Sequence, residues 1–132
     1  MEDPLLHKKF IFNDNIDTEF LFSLYEDDFS YIEEIFKATI HQVKTVIDEI
    51  PGAFANKDIE KLRTIVHQIK PAFGFTGFLT MENACKEFED GCTKDIEPDS
   101  LATIYHRLWP SLVNAMNVMQ NEYNQLKEFN NP

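Results

Sequence analysis

The chain is poor in several residue types that other protein classes need. Its 132 residues include only four glycines, and 12 lysines and arginines stand against 23 acidic residues. Dense all-β folds need many more turn signals than four glycines provide, so a mainly helical fold is favoured. A formal charge of −11 also means that the average surface repels the phosphates of nucleic acid and an anionic membrane. We expect neither as a partner.

Long apolar runs are absent too. Nowhere do eighteen apolar residues follow one another, and no apolar run follows a basic start. The sequence therefore predicts neither a membrane span nor a secretory signal. We expect a soluble, cytoplasmic protein in which the two cysteines, Cys85 and Cys92, are reduced thiols that fill space in a helix.

The familiar motifs for nucleotide binding, hydrolysis and metal binding are missing as well. GxxxxGK[ST], GxGxxG, GxSxG and HExxH do not occur, and no histidine has the Glu-x-x-His spacing of di-iron bundles. We therefore expect no nucleotide binding or hydrolysis by this chain, no bound cofactor and no metal site.

What the sequence does contain is apolar residues at helical spacing. Hydrophobic residues make up 43% of the chain, including 12 phenylalanines, and they recur three to four apart as in amphipathic helices. The pattern predicts a short helix from Asp17 or Thr18, followed by four further helices over about 27–50, 58–76, 80–91 and 99–129. Pro51 either kinks or ends the second of these, and Pro110 bends the last. We expect an all-α, antiparallel four-helix bundle over residues 17–132, with residues 1–16 as an N-terminal arm.

The segment from His67 to Gly77, HQIKPAFGFTG, has an unusual exposed face. At about 100° per residue, His67 points away from the apolar stripe of its helix, while Lys70 and Gly74 follow it one and two turns along. Such an imidazole can accept a phosphoryl group because it is largely neutral near pH 7, and the lysine would offset the added negative charge. The glycine costs ~1 kcal/mol in a helix interior, and we expect it to leave bare backbone for a partner's surface.

This pattern of H-x-x-K followed by small residues and two glycines resembles the signature of histidine-containing phosphotransfer (Hpt) domains, the four-helix bundles of His-Asp phosphorelays. The resemblance implies that His67 takes a phosphoryl group on Nε2 from a receiver-domain phosphoaspartate and passes it to the aspartate of another receiver. It also implies that Lys70 steadies the phosphoryl group, that Gly74 leaves room for the receiver, and that Glu89 orients the imidazole. For Glu89, an ordinary solvated acid is the alternative.

Three further positions qualify the resemblance. Pro71 occupies a position where relatives usually have a small residue, often glycine, and it removes the hydrogen bond to the His67 carbonyl. We expect this compact side chain to alter docking only in detail. Gly77 is expected to serve helix packing. Phe78 is a docking contact if the helix reaches that far, and otherwise a core residue at the helix end.

The resemblance implies a phosphoryl carrier and not an enzyme. Mg²⁺ would be supplied by the partner, a receiver domain of a response regulator or hybrid sensor kinase. We expect a monomer, and the initiator Met1 favours a free-standing carrier over a fragment of a hybrid kinase. Two alternatives remain open at this point: a structural or adaptor bundle that does not transfer phosphate, and a kinase-type dimerisation domain whose histidine is phosphorylated from ATP.

Overall fold

Helices make up most of the computed structural model, which describes residues 9–132. Within that range there are six helices and no strand, in agreement with the all-α fold predicted from the sequence. In chain order they are α1 (Thr18–Tyr25), α2 (Phe29–Lys44), α3 (Glu49–Ala55), α4 (Ile59–Phe75), α5 (Leu79–Gly91) and α6 (Pro98–Asn130).

Aspartates begin three of these helices, close to the helix starts predicted from the sequence. The carboxylates of Asp17, Asp28 and Asp58 each accept a hydrogen bond from a backbone N–H in the first turn that follows, which satisfies one of the donors that a helix start leaves free. The start of α6 lies slightly before residue 99, where the sequence placed it. Glu97 is its cap and Pro98 its first residue, because a proline at that position lacks only an N–H that would have no helical partner.

The second helix is shorter than the apolar pattern indicated. It ends at Lys44, a turn follows, and α3 begins at Glu49. Pro51 therefore neither kinks nor ends a long helix: it lies in the first turn of α3, where no N–H is required. Ile47 and Ile50 are nonetheless buried, so the turn preserves the inward positions that made the pattern look continuous.

Four helices enclose the core. α4 packs against α2 and α5, and α6 packs against the same two helices from the other side, which closes a four-helix bundle. The short α3 lies against α4. The largest side chains of the interior are almost completely buried, among them Phe36, Phe73, Leu112 and Met119.

The described part of the predicted arm, residues 9–16, contains no helix and lies against the bundle. Phe10 and Phe12 are buried, and the ring of Phe12 stacks on that of Phe36 at 6.1 Å between centroids. The backbone N–H of Asn13 donates to Oε1 of Glu122 on α6 at 3.1 Å. Residues 1–8 lie outside the described range, and the domain boundary at residue 17 stays a prediction.

The longest helix and the cysteines complete the fold. α6 continues through Pro110 without interruption. Cys85 and Cys92 are both buried free thiols, and burial raises the pKa of Cys85 to about 12 and that of Cys92 to about 11. Among residues 9–132, no helix has the length and hydropathy to cross a lipid bilayer.

Candidate functional site

His67 lies near the middle of α4, on the side that faces away from the core. Ile65, Val66 and Ile69 are buried against the bundle, whereas the side chain of His67 is 70% exposed. The orientation predicted from the helical spacing is therefore confirmed. The helix holds the imidazole at a fixed place on the surface, where another protein can reach it.

Glu89 of α5 contacts the imidazole directly. Its Oε1 lies 2.5 Å from Nδ1 of His67, and its side chain is only 10% exposed. An ionised carboxylate can only accept hydrogen bonds, so Nδ1 carries the proton and donates it. The other ring nitrogen, Nε2, then has a free lone pair, which is the form required of a nucleophile.

Lys70 approaches the same carboxylate from the next turn of α4. Its Nζ donates to Oε2 of Glu89 at 2.6 Å. The hydrogen bond with Glu89 raises the pKa of Lys70. Burial by itself would raise the pKa of Glu89, but hydrogen bonds from Lys70 and His67 outweigh it, and the pKa of Glu89 is lowered. Glu89 is thus held as an anion between two donors.

The two helices that carry this site run antiparallel with a regular register. His67 is opposite Glu89, and seven residues later on α4, Gly74 is opposite Glu82, which precedes Glu89 by seven on α5. Seven residues make nearly two turns, so the two pairs of positions lie along the same side of the α4–α5 pair.

Gly74 does not present the bare backbone that the sequence suggested. A Cβ atom placed there would clash with Oε2 of Glu82, so the carboxylate of Glu82 occupies the space above the glycine. The pattern of α4 alone could not predict this contact, because the side chain of Glu82 comes from the facing helix. Pro71, one turn after His67, is exposed, and α4 continues through it to Phe75.

Phe78 is a core residue at the helix end, the second of the two roles expected for it. It is 5% exposed, and its ring is 6.3 Å from that of Phe73 between centroids. The helix ends too early to carry Phe78 outward, because the N–H of Phe78 donates to the carbonyl of Phe73 and that of Gly77 to the carbonyl of Gly74. This Schellman termination needs a left-handed residue, and Gly77 has φ +73°.

Gly77 also explains how α1 reaches α4. A Cβ on Gly77 would lie 2.9 Å from Cγ of Leu21, and the N–H of Asp17 donates to the Gly77 carbonyl at 2.9 Å. The packing role expected from the sequence is thus present, although it is made by a turn after the helix.

Phe75 is an exposed aromatic residue that the sequence reading overlooked. Its side chain is 52% exposed at the end of α4, and the hydroxyl of Tyr25 donates to its backbone carbonyl at 2.9 Å. Leu24 and Tyr31, both about half exposed, lie at the adjoining ends of α1 and α2, and the rings of Tyr25 and Tyr31 are 5.5 Å apart. The signal was available, since Phe75 lies about 200° around the helix from the buried Phe73.

The other described histidines are not part of a comparable group. His41 and His106 are exposed, and the ring of His106 lies edge-on to those of Phe54 and Tyr105. Within residues 9–132, no cluster of three or more histidine, cysteine or acidic side chains has a geometry that could hold a metal ion.

Comparison with protein families matches residues 34–129 to the family described as the Hpt domain. The matched range contains α4 and α5 in full, and with them His67, Lys70, Gly74 and Glu89. No curated protein and no solved structure matches the chain.

Proposed function

This chain belongs to the Hpt domain family, whose members exchange phosphoryl groups with receiver domains in phosphorelay signalling, and we propose that His67 is the residue that carries the phosphoryl group. Hpt domains are carriers without a kinase domain of their own. The observation that supports His67 is its contact with Glu89, which leaves Nε2 of a 70% exposed imidazole free to react.

The proposed transfer forms one bond and breaks one. Nε2 of His67 attacks the phosphorus of a receiver's phosphoaspartate in line with the leaving oxygen, an N–P bond forms, and the P–O bond breaks with its electron pair remaining on the aspartate carboxylate. The imidazole ring becomes cationic in this step. Its proton stays on Nδ1, where the anionic Glu89 stabilises the added charge. The reverse sequence on a second receiver returns the imidazole to its neutral form.

Lys70 can serve the phosphoryl group without leaving Glu89. An ammonium group has three N–H donors, and one of them is used in the 2.6 Å contact with Oε2 of Glu89. A second donor is available for a phosphoryl oxygen. We propose that Glu89 holds Lys70 beside the imidazole so that its cation is in position before the receiver arrives.

The receiver is proposed to dock over the exposed side of α4 around His67, including Gly74 and Pro71. The exposed Phe75, with Leu24 and Tyr31, would extend this surface at one end, since aromatic side chains are enriched in protein interfaces. The receivers of response regulators and hybrid sensor kinases both fit this chemistry.

We propose that the protein is a monomer, because the apolar faces of its helices are buried within one bundle. We also propose a cytoplasmic location, which the two free thiols support.

The test is transfer from a phosphorylated receiver. The protein is incubated with Mg²⁺ and a ³²P-labelled receiver domain from the same organism, and label is followed under acid and alkaline conditions, since phosphohistidine is acid-labile. We expect acid-labile label on the wild-type chain and on His41→Gln, which removes another exposed histidine of the bundle, but none on His67→Gln. Label that persists in His67→Gln, or wild-type chain that takes no label from any receiver of the organism, would contradict the proposal.

A further inference from the structure

Glu82 is a carboxylate on the docking side of the molecule that the proposed transfer chemistry does not use. It lies in the first part of α5 and covers Gly74, which shares a helix face with His67. A seven-residue separation on α4 corresponds to about 10 Å along the helix axis. Glu82 is therefore close to the reacting histidine without touching it.

The surroundings of Glu82 and Glu89 differ in one important respect. Both oxygens of Glu89 have donors, namely His67 and Lys70. The side chain of Glu82 has neither a hydrogen-bond donor nor a cation within the described part of the chain. Of two acidic residues two turns apart on α5, one is neutralised within the protein and the other remains an unpaired negative charge.

A receiver that reaches His67 would cover Glu82 as well. A standard protein interface buries about 800 Å² on each partner, which is a patch of about 16 Å radius. A patch of that size centred on His67 includes a carboxylate about 10 Å away. Burying an unpaired charge is unfavourable, and it becomes favourable only if the partner supplies the opposite charge.

We propose that Glu82 is a specificity-determining residue for the receiver: it selects receivers that place a lysine or arginine opposite Gly74 and disfavours those that place an acid there. The inference rests on the proposed function, since it assumes that receivers dock over His67. The location of Glu82 early in α5 also suits the helix dipole, but the dipole does not require the carboxylate to lie over the glycine of the neighbouring helix.

The experiment compares Glu82→Gln and Glu82→Lys with Glu87→Gln. The last variant removes one charge from an exposed position of α5 about 140° around the helix from Glu82. For the receiver that labels the wild type best, we expect Glu82→Gln to raise KM about tenfold and Glu82→Lys to raise it further, with kcat unchanged. Glu87→Gln should match the wild type. Thermal unfolding of each variant checks that the bundle is intact.

A charge swap completes the test. In the receiver, the lysine or arginine proposed to lie opposite Gly74 is replaced with glutamate. This receiver should restore transfer to Glu82→Lys and should transfer less well to the wild type. If Glu82→Gln has the same KM as Glu87→Gln with every receiver, or if kcat falls while KM is unchanged, the inference is wrong. Parallel labelling of wild type and His67→Gln separates this result from a failure of the proposed function, because wild type would still be labelled on His67.

Discussion

Removing the Glu89 carboxylate should slow phosphoryl transfer without preventing it. In Glu89→Ala, Nδ1 of His67 loses the acceptor at 2.5 Å and Lys70 loses its partner at 2.6 Å. A hydrogen bond to a charged group contributes about 1.5–3 kcal/mol. If that contribution is made mainly when the ring becomes cationic, and each 1.36 kcal/mol corresponds to a factor of ten, the rate should fall about 10-fold to 150-fold.

Glu89→Gln separates the two contributions of the carboxylate. Its amide oxygen can still accept from Nδ1, so the tautomer is kept, but the negative charge that stabilises the imidazolium is lost. We expect a rate between those of wild type and Glu89→Ala. The assay is single-turnover transfer from a saturating phosphorylated receiver at pH 7, with circular dichroism to confirm folding. A rate for folded Glu89→Ala within about twofold of wild type would refute the role assigned to Glu89.

Other predictions concern stability, measured by urea or thermal unfolding. Gly74→Ala should be neutral or stabilising by up to ~1 kcal/mol, because only the end of the Glu82 side chain must move. Gly77→Ala should instead destabilise the protein by at least ~1–2 kcal/mol, because the backbone of Gly77 is left-handed. Equal effects of the two substitutions would contradict this. Burial raises the pKa of Glu122, despite the Asn13 N–H, so its stabilising contribution is full at low pH and is lost as pH rises through that raised pKa. Glu122→Gln should therefore be about 1 kcal/mol more stable than wild type at pH 7 and equal to it in acid; no gain at pH 7 would count against this. The pKa of Glu89 is lowered, so its contribution to stability changes with pH in the opposite direction. That contribution is present at pH values above the ordinary carboxyl pKa and is lost as the pH falls through the lowered pKa. Glu89→Gln should not show this loss.

The sequence predicted most of the fold because helix starts and apolar faces are local properties. Asp17, Asp28 and Asp58 cap helices through bonds to residues three positions on, which a sequence pattern can reveal. The break after Lys44 was missed since Ile47 and Ile50 remain inward on either side of a turn. Apolar spacing reports which residues are buried, and it does so even where the helix has ended.

The candidate site, too, could be predicted from the sequence only in part. The exposure of His67 follows from its position on a single helix, and it was predicted. Contacts between helices depend on the register of α4 against α5, which no pattern within one helix contains. Glu82 over Gly74 was therefore not foreseen, and neither was the burial of Glu122, whose Oε2 has no hydrogen-bond partner among residues 9–132.

The exposure of His67 has a consequence for timing. A side chain that is 70% exposed can be reached by receivers and by bulk water alike, so a phosphoryl group on Nε2 would not be stored behind protein. How long it persists would then depend on the rate of hydrolysis in open solvent and on the concentration of partners nearby. The signal is kept only if a receiver binds before water hydrolyses the phosphohistidine, so a higher concentration of receivers would favour transfer over loss.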